Sequence, residues 1–149
     1  GDLELCFGMP VWSIKRPDYR HVSVACGEFA NYSFGCTSEY RKVFAILREY
    51  LLDYWKCYDY MIDYLFLDYL IVLARRQNAY VDAAFAQIVP NNQNWGELLK
   101  ILGKEFDSKE WGKLKERTNL FKLTWKAEYP VSLNGRKTFY GKLISRELT

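Results

Sequence analysis

Asp63 and Asp68 are the residues of this chain whose type and setting could do chemistry. They stand inside YWKCYDYMIDYLFLDYLIVLAR, residues 54–75, a run that reads as a buried helix. At about 100° per residue, Phe66, Leu67, Leu70 and Ala74 fall on the Asp63 side. Tyr64, Leu65, Ile71 and Val72 surround Asp68. A carboxylate among such neighbours costs several kcal/mol unless it is paired or hydrogen-bonded. Groups kept at that cost often serve a site. The competing reading is structural: both acids bonded to helix N-termini or tyrosine hydroxyls.

Other chemistries are excluded by what the chain lacks. The only histidine is His21, and the cysteines Cys6, Cys26, Cys36 and Cys57 form no CxxC. That argues against a structural zinc site and against a Ser-His-Asp or Cys-His hydrolase. There is no Walker loop and no GxGxxG to cradle a phosphate. Asp63 and Asp68 lie five residues apart, so on a helix they point roughly 140° apart. They cannot easily flank one glycosidic bond.

The chain has 149 residues, half of them hydrophobic, with a net charge of +3. That suits one domain spanning 1–149 with a sizeable core. The charge is too small to argue for nucleic acid. Lysines from Lys100 to Lys126 alternate with Glu105, Asp107, Glu110 and Glu116, which describes a solvated face rather than a membrane or RNA surface. No apolar run reaches the ~18 residues of a membrane span. Free thiols fit a reducing cytosol. Aromatics reach 17%, with twelve Tyr and five Trp. Flat rings with hydroxyls suit sugars, although core filling accounts for most of them.

The elements that must position these residues read as a few short strands and several helices, an α-rich α/β or α+β fold. Strands are expected at Val11–Lys15, Val22–Val24 and Phe29–Phe34, with Gly27 and Gly35 as punctuation. Ser38 would cap a helix over Tyr40–Tyr58, and Asp59 one over Tyr60–Arg76. Asp63 would then lie in or near a first turn, where the helix dipole favours a carboxylate. Further helices are expected at Tyr80–Ile88, Trp95–Leu102 and Ser108–Arg117. Leu120–Trp125 alternates as a strand, Asn134-Gly135 is a turn, and Thr138 caps a terminal helix to Glu147.

The order of these segments resembles the C-terminal part of the capsular polysaccharide synthesis protein family, bacterial relatives of sugar transferases with a DXD motif. VWSIKRPDY, GEFANYSF and LLDYWKCYDYMIDYLFLDYLIVLA match family blocks in order. So do Val89-Pro90-Asn91-Asn92, the TNLFKLTWK segment from Thr118 to Lys126, and Lys137-Thr138-Phe139-Tyr140-Gly141. The resemblance implies a GT-A type nucleotide-sugar transferase that hands a sugar to a surface polysaccharide. It implies a nucleotide-sugar donor, a glycan acceptor and a divalent cation, Mn²⁺ or Mg²⁺, on the diphosphate. It also implies a cytoplasmic protein, peripheral at the inner face of the membrane.

On that resemblance Asp63 would be the catalytic residue, orienting a hydroxyl or stabilising positive charge at the sugar carbon, with Tyr64 beside it. Lys122 and Lys126 would lie near the diphosphate, and Asn31, Asn91 and Asn92 would contact sugar. Asp68 would be structural. Two departures stand out. The strings nearest to a DXD are Asp2-Leu3-Glu4 and Glu105-Phe106-Asp107, neither in the family's context. The histidine of the family's HKL is Phe121 here, which removes a metal ligand and leaves no metal site to name. The chain begins at Gly1, and the simplest account is the acceptor-side part of a longer enzyme. The alternative is a non-catalytic carbohydrate-binding or scaffold module. A fragment of this kind is expected to self-associate through an exposed sheet edge or face.

Overall fold

Helical periodicity in the 41–57 segment becomes helix α1, Arg41–Cys57, in the computed structural model of the chain. The structure describes residues 10–16, 24–116, 118 and 120–148. It forms two compact units that meet in sequence at Asn91 and Asn92. Among the described residues there are six α-helices and two small antiparallel sheets. The α-rich composition of short strands and several helices is as expected. Cys6 and His21 lie outside the described residues, as do Asp2-Leu3-Glu4 and most of the Val22–Val24 strand.

In the 3–91 unit, β1 (Val11–Ser13) pairs with β2 (Phe34–Cys36), Trp12 opposite Gly35. The strand expected at Phe29–Phe34 starts only at its last residue. Cys26 and Gly27 take φ of 51° and 74°, and Ser33 N–H donates to the Ala30 carbonyl. The segment therefore turns before it extends. Ser13 Oγ donates to the Ala30 carbonyl at 3.0 Å and accepts from its N–H at 2.8 Å, pinning the turn to β1. Ser38 is not a cap. Thr37 precedes a 3₁₀ turn, Ser38–Tyr40, that leads into α1 without a side-chain cap.

Helix α2 is Phe66–Gln77, and α3 is Ala79–Ala86, capped by Asn78 Oδ1. Val43 and Leu47 of α1 pack on Phe66, Leu70, Ile71 and Ala74 of α2 and on Val81, Ala84 and Phe85 of α3. Phe29 meets Phe85 edge-on at 5.4 Å, within the favoured range for aromatic pairs. The charged residues of α1, Arg41, Lys42, Arg48, Glu49, Asp53 and Lys56, are all exposed.

The helix expected over Tyr60–Arg76 begins six residues late. Asp63 Oδ1 accepts the Leu65 N–H at 2.6 Å, and the Asp63 carbonyl accepts the Phe66 N–H at 3.1 Å. An aspartate that bonds its own backbone two residues on makes a turn in place of a helix. Asp59 and Asp63 consequently stand in an exposed loop, and Asp63 is not among buried neighbours.

In the 92–149 unit, α4 (Glu97–Ile101) and α5 (Ser108–Lys115) carry Leu98, Ile101 and Trp111 into a second core with Leu102 and Phe139. Asp107 Oδ1 caps α5, accepting from Lys109 and Glu110 N–H. The strand expected at Leu120–Trp125 is extended chain without a ladder. Its Leu120 N–H goes to Asn92 Oδ1 and its Lys122 N–H to the Trp95 carbonyl, so no neighbouring strand is paired. Strands β3 (Ser132–Leu133) and β4 (Arg136–Lys137) form a hairpin through Asn134 and Gly135. Both turn residues have positive φ, 48° and 76°, as a type I′ turn requires. Helix α6, Phe139–Ile144, follows with Thr138 as its cap, as expected. Among the described residues no helix is long and apolar enough to cross a membrane.

Candidate functional site

The two aspartates that head the sequence argument have opposite fates. Asp68 lies in the first turn of α2 and is only 5% exposed. Residues 68, 71 and 75 share one helix face, and the turn that follows β1 is fastened to it. The Asn31 side chain lies near the Asp68 carboxylate and favours its ionised form. Arg75 pairs with Glu28, and with Asp82 at 2.9 Å. Asp68 Oδ1 is buried without a partner. Burial pushes the carboxyl above its ordinary value, and the nearby Asn31 amide only partly opposes that. The orphaned oxygen of Asp68 is shielded from any ligand.

Asp63 is exposed beside Tyr64, which is 94% exposed and the most open large side chain described here. Tyr60, Met61 and Ile62 of the same loop are exposed as well. Tyr54 Oη donates to the Tyr60 carbonyl at 2.7 Å and ties the loop to α1. A carboxylate and phenols on a tethered loop can hydrogen-bond and stack against a polyhydroxylated molecule.

The amide side chains read as sugar contacts are occupied by the fold. Asn91 Nδ2 donates to the Ser13 and Val89 carbonyls, each at 2.9 Å. Asn92 is wholly buried, with φ of 50° and its Oδ1 on Leu120 N–H. In the 92–149 unit Lys122 and Lys126 are exposed. The Lys122 ammonium sits 5.6 Å from the Trp95 ring centre, a cation–π contact.

The 92–149 unit has an open cleft of about 530 Å³, lined in part by Leu102, Thr124, Trp125, Glu128, Tyr129 and Tyr140. Trp125 is 90% exposed, and the Tyr129 and Tyr140 rings lie 5.8 Å apart. Thr138 Oγ1 donates to the Pro130 carbonyl and accepts Gly141 N–H at 2.9 Å, which locks the cleft's far wall to the start of α6. Sequence reasoning missed this group. Its only sequence signal is the aromatic excess, which fits core and cleft equally.

The sequence profile of the capsular polysaccharide synthesis protein family matches residues 3–143. The chain belongs to that family. No curated protein and no solved structure matches it.

The family blocks can be placed on the structure. In the block from Thr118 to Lys126, Phe121, at the position that the resemblance gives to a histidine, packs on Trp111 with ring centres 5.6 Å apart. In the closing TFYG, Thr138 is a cap, Phe139 is fully buried, and Gly141 leaves room for the Val131 carbonyl. Glu105-Phe106-Asp107 is not a free acidic pair. Glu105 accepts from Asn134 at 2.8 Å, and Asp107 is held below the usual carboxylate range by the two N–H groups it caps. Among the described residues no group of three His, Cys, Asp or Glu could hold a metal ion.

Proposed function

We propose that this capsular polysaccharide synthesis protein is the acceptor-side part of a glycosyltransferase, moving a sugar from a nucleotide-sugar donor onto a surface polysaccharide. The family match over residues 3–143 carries the reading. Asp63 and Tyr64, open to solvent on a tethered loop ahead of α2, are the residues assigned to the sugar. An ionised carboxylate there accepts a hydrogen bond from a sugar hydroxyl and favours positive charge developing at the sugar carbon.

The test is nucleotide release from a panel of UDP- and GDP-sugars, with and without Mn²⁺, by the complete enzyme that carries this chain, given a capsular glycan acceptor. Asp63→Asn should cut turnover at least tenfold while leaving the circular dichroism unchanged. Unchanged turnover removes Asp63 from the mechanism. A second reading is a non-catalytic carbohydrate-binding module, favoured by Phe121 packed on Trp111 where the family has histidine. Glycan binding without turnover from any donor would select it.

A further inference from the structure

Trp111 and Trp125 lie fourteen positions apart in number, yet one is 9% exposed and the other 90%. An indole left in water leaves much of its roughly 150–250 Å² of contact area uncovered. Trp125 stands at an open cleft whose other walls include Tyr129, Tyr140, Thr124 and Glu128. We infer that this cleft binds a glycan chain, with an uncharged pyranose ring laid on Trp125.

A pyranose offers a flat apolar C–H face and a rim of hydroxyls. The cleft offers rings for the first, and the Thr124 hydroxyl and Glu128 carboxylate for the second. Its volume of about 530 Å³ lies within the ~300–1,000 Å³ of ligand pockets. It is open rather than tunnel-shaped, which suits a chain passing through better than an enclosed lipid tail. The lining carries one carboxylate, Glu128, and neither Lys nor Arg, so uncharged sugars are favoured over acidic ones. The fold holds these walls without help from a ligand. Pro130 and Val131 are bonded to Thr138, and Tyr140 N–H donates to the Leu102 carbonyl at 2.9 Å. The inference takes its ligand class from the polysaccharide reading above and rests on it in that respect alone.

The experiment is retention of the full chain on an array of neutral and acidic pyranose oligosaccharides, followed by titration of the retained sugars by tryptophan fluorescence. Saturable binding of neutral oligosaccharides is expected. Trp125→Ala should weaken it at least tenfold, Trp125→Phe should stay within about threefold, and Trp55→Ala, an exposed indole of the 3–91 unit, should match the native chain. All variants are compared by circular dichroism. No retention of any sugar, or equal binding by Trp125→Ala, overturns the inference. Trp125-dependent binding without nucleotide release by the complete enzyme keeps the inference and overturns the transferase reading. Nucleotide release without Trp125-dependent binding does the reverse.

Discussion

Asp68→Asn should make the protein more stable at pH 8 and leave it almost unchanged near pH 3. The substitution keeps the shape of the side chain and removes the charge. In the native chain Oδ1 is buried without a partner, which costs about 1–3 kcal/mol for such a group. The α2 dipole, favourable to a first-turn carboxylate, offsets about 0.5 kcal/mol of that. The amide has its own unmatched hydrogen, so the net gain should be about 1 kcal/mol. The sign follows from linkage. Burial raises the folded-state value of Asp68 above its ordinary 3.8. The group's contribution is therefore complete below that ordinary value and is lost as pH rises through the folded-state value. Urea unfolding at pH 3, 6 and 8, in low and high salt, measures it. Desolvation is not screened as an exposed ion pair is, so the gain at pH 8 should survive in high salt. A variant less stable than the native chain at pH 8 by 1 kcal/mol would refute the reasoning, because it would mean that Oδ1 has a favourable partner.

Three further outcomes are expected. Gly141→Ala places a Cβ onto the Val131 carbonyl oxygen and within 3.1 Å of its carbon; backbone on both sides cannot yield cheaply, so the urea midpoint should fall by the equivalent of about 3 kcal/mol. Asn92→Ala strips Leu120 N–H of its acceptor and puts alanine at positive φ, costing about 2–4 kcal/mol, whereas Asn92→Gly should cost visibly less in the same titration. Glu147 is held down to about 2 by Lys137 and Lys142. Its stabilisation is present above its ordinary 4.5 and fades as pH falls toward 2. Glu147→Gln should flatten the melting temperature across that window, and an unchanged acid limb would show that these ion pairs do not matter.

Much of the scaffold was legible because its signals are local. Helix α1 falls within a residue of its expected bounds, since Val43 and Leu47 bury on one face while Arg41, Arg48 and Asp53 stay wet. Asn134-Gly135 and the Thr138 cap are short-range chemistry, and both stand where the sequence put them. The misreadings come from partners that no local pattern announces. Leu120–Trp125 alternates like a strand, but Asn92 and Trp95 claim its amides. The run around Asp63 has helical spacing, but its own side chain takes Leu65 N–H and ends the pattern. Asp63 was singled out by its neighbours in sequence, for a burial it does not have. The cleft was not found at all. Trp125, Tyr129 and Tyr140 come from loop and helix, and nothing in a tryptophan's immediate sequence separates the buried Trp111 from the exposed Trp125.

Helix α6 has only six residues, far short of the roughly 12–15 at which an isolated helix becomes even marginal in water. It cannot nucleate by itself. The hairpin before it can, because Asn134 and Gly135 choose their turn without distant help, and such hairpins close in about 1–10 µs. Closing it brings the Pro130 and Val131 carbonyls to Thr138, whose hydroxyl then takes Gly141 N–H. Each element of this corner thereby supplies what the next one needs: turn, ladder, cap, helix.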